Sequence, residues 1–150
     1  MFYSRSITVP ANTAEGTFAE TTIDLSHGVI TRVIFRPRPG HASLLHVRVF
    51  HRRHQIFPEN ADDDLHGDMF PVEWDEWYEM FESPFTLTIM SWNDDDTYPH
   101  TFDIAFAMLP KYAALPFAMA KSIGEMVSSL SPKRISIPSW LGGKKEKKNG

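Results

Sequence analysis

Large apolar and small or polar residues alternate along most of the first 110 positions. The clearest run is Phe102, Ile104, Phe106 and Met108, interleaved with Thr101, Asp103, Ala105 and Ala107. A period of two places one set on each face, the pattern of a half-buried strand. Phe85, Leu87 and Ile89 alternate with Thr86, Thr88 and Met90 just before it. The residues between, Asn93 to Pro99, are turn formers, so the pattern predicts that these two strands pair as an antiparallel hairpin across a long loop. Further strands are expected at Ser4–Val9, Thr17–Leu25, Val29–Arg36 and Leu44–His51, with shorter extended pieces at His54–Phe57, Asp68–Val72 and Glu76–Phe81. Ser26-His27-Gly28 and Pro37-Arg38-Pro39-Gly40 punctuate them, because Pro and Gly interrupt strand and helix alike.

Seven or eight strands with regularly spaced turns predict an all-β fold, an antiparallel β-sandwich and most simply a jelly roll, over residues 1–110. No helical pattern lies between strands, which excludes parallel α/β architectures. The period changes after residue 110. Tyr112, Leu115, Met119, Ile123, Met126, Val127 and Leu130 recur at spacings of three and four. They predict an amphipathic helix within residues 111–131, beginning near Pro116, which suits a first helical position. Gly124 weakens that helix by about 1 kcal/mol relative to Ala. So short a helix is marginal by itself and must pack on something. Its own sandwich and a neighbouring subunit are the two surfaces open to it; because it follows a sandwich that is already complete, the neighbouring subunit is the expected one. Residues 132–150 read as an extended basic arm, with Trp140 and Leu141 as apolar anchors and a Lys-rich end of disordered composition.

The 150 residues suit one domain with its own core. The absence of Cys excludes a disulfide scaffold, a Cys-ligated zinc site and thiol catalysis. No run approaches the roughly 20 apolar residues of a membrane span, and the first residues lack a signal-peptide layout. A soluble single domain remains as the expectation.

Charge is segregated in blocks. Residues 1–110 carry seven Arg, no Lys and 17 acids, a balance of −10, whereas residues 111–150 carry eight Lys or Arg and two acids, a balance of +6. Six of the Arg lie from Arg32 to Arg53, and no Lys or Arg follows until Lys111. A basic end and an acidic middle in one sequence favour docking between copies. Arg52 and Arg53 are the expected partners of acids such as Asp62 to Asp64. Nucleic acid or an anionic membrane is the weaker partner, since an acidic body repels both and leaves only the tail to hold them.

Two acidic loops offer oxygen ligands for Ca²⁺, one with Asp62 and Asp64 and one with Asp94 and Asp96, although Asp and Asn are also ordinary turn residues and neither loop has EF-hand spacing. His46, His51 and His54 cluster, but the odd spacing of His46 and His51 sends them to opposite faces of one strand, which argues against a His metal site. The segment from Val72 to Phe81 interleaves acids with aromatics, as an acidic outer face over an aromatic inner face would. Trp74, Trp77, Tyr78 and Trp92 would form a stacking platform if the chain were instead a carbohydrate-binding sandwich. No nucleophile elbow, P-loop or His-Glu-x-x-His motif is present, and no catalytic residue is assigned.

The runs Ile30–Gly40, His46–His51 and His54–Asn60, followed by Pro84–Ile89 and Trp92–His100, resemble small β-sandwich proteins encoded among phage and virus-like structural genes. The resemblance covers about residues 5–110 and carries no functional residue. It implies a non-enzymatic building block of a multi-copy capsid, decoration or tail structure, in contact with itself and with other structural proteins of the particle. The setting it implies is a virion or a cytoplasmic assembly. The residues expected at contacts between copies are Met119, Ile123, Met126, Val127, Trp140, Leu141, Arg52 and Arg53.

Overall fold

The computed structural model describes residues 1–129. The chain divides into two compact units, Met1–Leu115 and Pro116 onward. The first contains eight strands: β1 (Phe2–Val9), β2 (Ala19–Asp24), β3 (Gly28–Pro37), β4 (Leu45–His51), β5 (His54–Phe57), β6 (Val72–Met80), β7 (Thr86–Asn93) and β8 (His100–Pro110). They form two four-stranded sheets, ordered β1-β8-β3-β6 and β2-β7-β4-β5. Every pairing is antiparallel. The chain follows a long folded hairpin in which β1 pairs β8, β2 pairs β7, β3 pairs β6 and β4 pairs β5. Rolling that ribbon adds the β3–β8 and β4–β7 pairings and produces the two sheets.

The predicted alternation is the reason these faces meet. Phe102, Ile104, Phe106 and Met108 on β8 are buried, as are Leu45, Val47 and Val49 on β4 and Leu87 and Ile89 on β7. Strand β3 breaks its own period and keeps its core face. Ile30 and then Val33 and Phe35 are all fully buried, because the register shifts between Ile30 and Arg32. One extra residue there re-aims the side chains that follow it.

Three expectations for the strands are corrected. Strands β7 and β8 do not form a hairpin; they lie in different sheets. The loop between them has the predicted turn chemistry but carries the chain across the sandwich. Asn93 organises it by donating from Nδ2 to the carbonyls of Tyr98 (2.9 Å) and Pro10 (3.2 Å). The Asp95 carboxylate accepts from the amides of Thr97 (2.8 Å) and Tyr98 (3.0 Å). Asp68–Val72 is not an extended piece: Met69 has φ +67° and the Phe70 amide donates to the Asp68 carbonyl at 2.7 Å, a tight turn. The Asp68 carboxylate holds that turn by accepting from the amides of Gly40 and His41. Finally, β6 starts at Val72 rather than Glu76.

The helix α1 spans Lys111–Ser129, five residues earlier than Pro116, which sits inside it. Met119, Ile123, Met126 and Val127 fall on one stripe of α1 and are 58–63% exposed. No helix among the described residues is long and apolar enough to cross a membrane. Residues 132–150, with Trp140 and Leu141, lie outside the described residues.

Candidate functional site

A cluster of interacting polar and aromatic side chains lies on the outer face of β4 and β7. Alternation that buries Leu45, Val47 and Val49 turns His46 and Arg48 outward, and the same parity on β7 turns Trp92 outward beside them. His46 is paired with Trp92 in the β4–β7 register, and their rings stack at 5.0 Å with planes 6° apart. The Arg48 guanidinium lies 4.7 Å from the Trp92 ring centroid. Trp92 is thereby covered and only 5% exposed.

The connection between β5 and β6 closes over this face. Arg48 donates to the carbonyls of Asp62 (2.7 Å) and Asp63 (3.1 Å) and pairs with Glu15 at 2.9 Å. Gln55 donates from Nε2 to the carbonyls of Pro58, Asn60 and Asp63. Leu65 then forms an antiparallel bridge with Val47 through backbone bonds of 2.9 and 2.8 Å. In that register residue 66 comes opposite residue 46, and residue 64, two positions away, shares its side of the chain.

The result is a three-residue cluster. Asp64 Oδ1 lies 2.9 Å from His46 Nδ1 and 2.9 Å from His66 Nδ1. On the far side of the imidazole, His46 Nε2 lies 3.4 Å from Asp94 Oδ2. The side chains of His46 and Asp64 are mostly buried, at 19% and 17% exposure, while His66 and Asp94 are each 53% exposed. Among the described residues, His46, Asp64 and His66 are the group whose ligand atoms all fall within 4.8 Å of one another.

Comparison with protein-family models, curated proteins and solved structures gives no match for the chain. Its chemistry is therefore read from its own geometry.

Several expected sites are redistributed by that geometry. The two acidic loops do not each gather an oxygen shell. Asp64 and Asp94 converge instead on one imidazole, Asp62 offers Arg48 its carbonyl, and the Asp96 carboxylate accepts from the Thr97 hydroxyl at 2.6 Å. Within the chain Arg52 pairs with Glu82 at 3.6 Å and donates to the Ser83 carbonyl, and Arg53 is exposed in the same turn; their expected meeting with Asp62–Asp64 is a contact between copies. Inside the chain it is Arg48 that holds this loop, because its strand position faces it. The four aromatics do not form one platform. Trp92 is buried on the second sheet, Trp77 is exposed on β6, and Trp74 and Tyr78 turn inward against Phe57. The β6 alternation also has a mixed face, since Glu76 shares the side of Trp74 and accepts from its indole N–H at 3.3 Å.

His46 and His51 do face opposite sides of β4, as their spacing requires. His51 is spent inside the sandwich. Its Nε2 donates to the Pro84 carbonyl at 2.9 Å, so Nδ1 accepts from the Tyr78 hydroxyl at 2.8 Å. Burial pushes the Tyr78 phenol up, with Arg52 opposing in part. The metal-capable partner of His46 is His66, twenty residues downstream. The alternation Asp64-Leu65-His66, with both polar residues on one side, is the signal that could have found it.

A second histidine pair lies inside the first unit. His41 and His100 have ring centroids 4.6 Å apart, and His41 is 1% exposed with no hydrogen-bond partner at either ring nitrogen. Burial, followed by the nearby His100, holds His41 below its ordinary value of 6.5; the Thr101 backbone and Asp68 oppose this. His100 Nε2 approaches Asp95 Oδ2 at 3.0 Å. Asp95 is held below the usual carboxylate value, chiefly by the amides of Tyr98 and Thr97.

Proposed function

We propose that the chain is a non-enzymatic structural subunit of a multi-copy assembly, a virion-like capsid, decoration or tail component, in which α1 docks on a second copy. The observation that carries this reading is the stripe of Met119, Ile123 and Val127 on α1, each 58–63% exposed and spaced one helical turn apart. A helix with an apolar stripe is stabilised by packing that stripe, and contiguous exposed apolar surface marks an interaction site. Charge supports a second copy as the occupant: the helix and the residues after it carry +6, while residues 1–110 carry −10. Glu73, Asp75 and Glu79 present part of that charge on the outer side of β6. Burying one Ile, Val or Met is worth about 1.5–3 kcal/mol, against about 0–1 for an exposed ion pair. Apolar contact therefore supplies the association energy and charge selects its register.

The strand order supports the same reading. We read a ribbon paired 1–8, 2–7, 3–6 and 4–5 and rolled into two sheets as a jelly roll, an architecture that capsid subunits share with lectin domains and cupins. The test is native mass by light scattering on the full chain and on an Ile123→Glu, Val127→Glu double variant. The full chain is expected as a defined oligomer and the variant as a smaller species with unchanged strand content. Deleting residues 131–150 is expected to lower the order further while leaving the sandwich folded. A monomeric full chain, or a double variant of undiminished mass, overturns the proposal.

A further inference from the structure

We infer that His46, Asp64 and His66 form a binding site for a borderline divalent transition metal, Zn²⁺ in the first instance, with Asp94 orienting His46 from behind. Three ligand atoms converge: the Nδ1 atoms of two imidazoles, each 2.9 Å from the same carboxylate oxygen. Around an ion at about 2.0–2.1 Å from each ligand in a tetrahedron, neighbouring ligands stand about 3.3 Å apart. The two Asp64 contacts thus need to open by only a few tenths of an ångström, and the two imidazole ligand atoms, which lie within 4.8 Å of each other, need to settle to the same spacing. The exposed His66 side chain can supply that movement without disturbing the core.

Two features separate this cluster from an ordinary surface group of polar residues. Its ligands are held by groups that are not ligands. His46 is locked flat on Trp92, and Asp64 and His66 flank the Leu65–Val47 bridge in a connection clamped by Arg48 and Gln55. Moreover, both nitrogens of His46 face carboxylates. A neutral imidazole has one N–H and can donate to only one of them. With Nε2 on the Asp94 side, Nδ1 is the nitrogen turned toward Asp64, and its lone pair is placed to ligate an ion held between them. A carboxylate behind a ligating histidine fixes its tautomer in established metal sites, and Asp94, 3.4 Å from Nε2, stands where that second carboxylate would be.

The donor set selects the metal. Ca²⁺ takes six to eight oxygens, whereas two imidazoles and one carboxylate suit Zn²⁺ and its neighbours. Three protein ligands leave one position for water or a donor from elsewhere. The bound ion would tie the β5–β6 connection to β4 and, through Asp94, to the end of β7.

The test is calorimetric titration of the EDTA-stripped full chain with ZnCl₂, and separately with CaCl₂, together with the visible spectrum of the Co²⁺-loaded protein. One Zn²⁺ per chain is expected, with little response to Ca²⁺ and a Co²⁺ ligand-field band of tetrahedral intensity. His66→Ala, at an exposed position, is expected to abolish both signals while the far-UV spectrum stays unchanged. Asp94→Asn should weaken binding about 10–100-fold. His54→Ala, a histidine outside the cluster, should leave binding as it is. Absence of Zn²⁺ binding, preference for Ca²⁺, or binding that survives His66→Ala overturns the assignment.

Discussion

Arg48 is the residue through which the outer cluster and the stability of the sandwich can be tested together. Its side chain is 16% exposed and makes four identifiable contacts: Glu15 at 2.9 Å, the carbonyls of Asp62 and Asp63 at 2.7 and 3.1 Å, and the Trp92 ring at 4.7 Å. Replacing it with Ala removes them all. Glu15 is 60% exposed, so that ion pair contributes about 0–1 kcal/mol. The two carbonyls belong to an exposed connection and return to water, so each bond is worth about 1 kcal/mol rather than the charged maximum. Uncovering Trp92 forfeits a cation–π contact of about 0.5–2 kcal/mol. The expected loss is about 2.5–5 kcal/mol, measured by urea unfolding at neutral pH. Trp92 emission should shift to longer wavelength in the folded variant. Arg48→Lys keeps the charge but not the planar fork, and should recover less than half of the loss. A change below about 0.5 kcal/mol, the level of a surface substitution, would refute the claim that Arg48 clamps the connection.

Gly28→Ala should destabilise by about 1–3 kcal/mol in the same assay, because a Cβ there overlaps the Leu109 carbonyl on the paired strand. Stability should fall as pH drops below 6.5 and level off beneath the depressed folded value of His41, since in that window the unfolded chain binds the proton and the folded chain does not. His41→Phe, which replaces a buried ring with two unpaired nitrogens, should flatten this part of a thermal-melt series; an unchanged slope would assign it to other groups. Asp95 acts in a separate, more acidic window: its stabilisation is present above 3.8 and is lost as pH falls through its lowered folded value. Adding Zn²⁺ in excess should raise the melting temperature of the native chain and not of His66→Ala.

Sequence alone placed most of the strands and, where the alternation is cleanest, the side that faces inward. Alternation is a local property: Phe102 to Met108 and Leu45 to Val49 need no partner to declare a buried face. Partnership between strands was not legible. The residues from Asn93 to Pro99 specify a turn whether the chain folds back onto its own sheet or crosses to the other, so β7 and β8 read as a hairpin although they belong to separate sheets. The cluster on β4 shows the same limit. His46 was visible as a ligand type, and its separation from His51 followed from parity, but His66 and Asp94 lie 20 and 48 residues further along. They reach His46 through two pairings, Leu65 with Val47 and Trp92 with His46, which only tertiary structure creates. Side-chain periodicity records how much of each residue meets solvent; it holds no record of which distant backbone supplies the neighbouring hydrogen bonds, and the ligand set is assembled by those bonds.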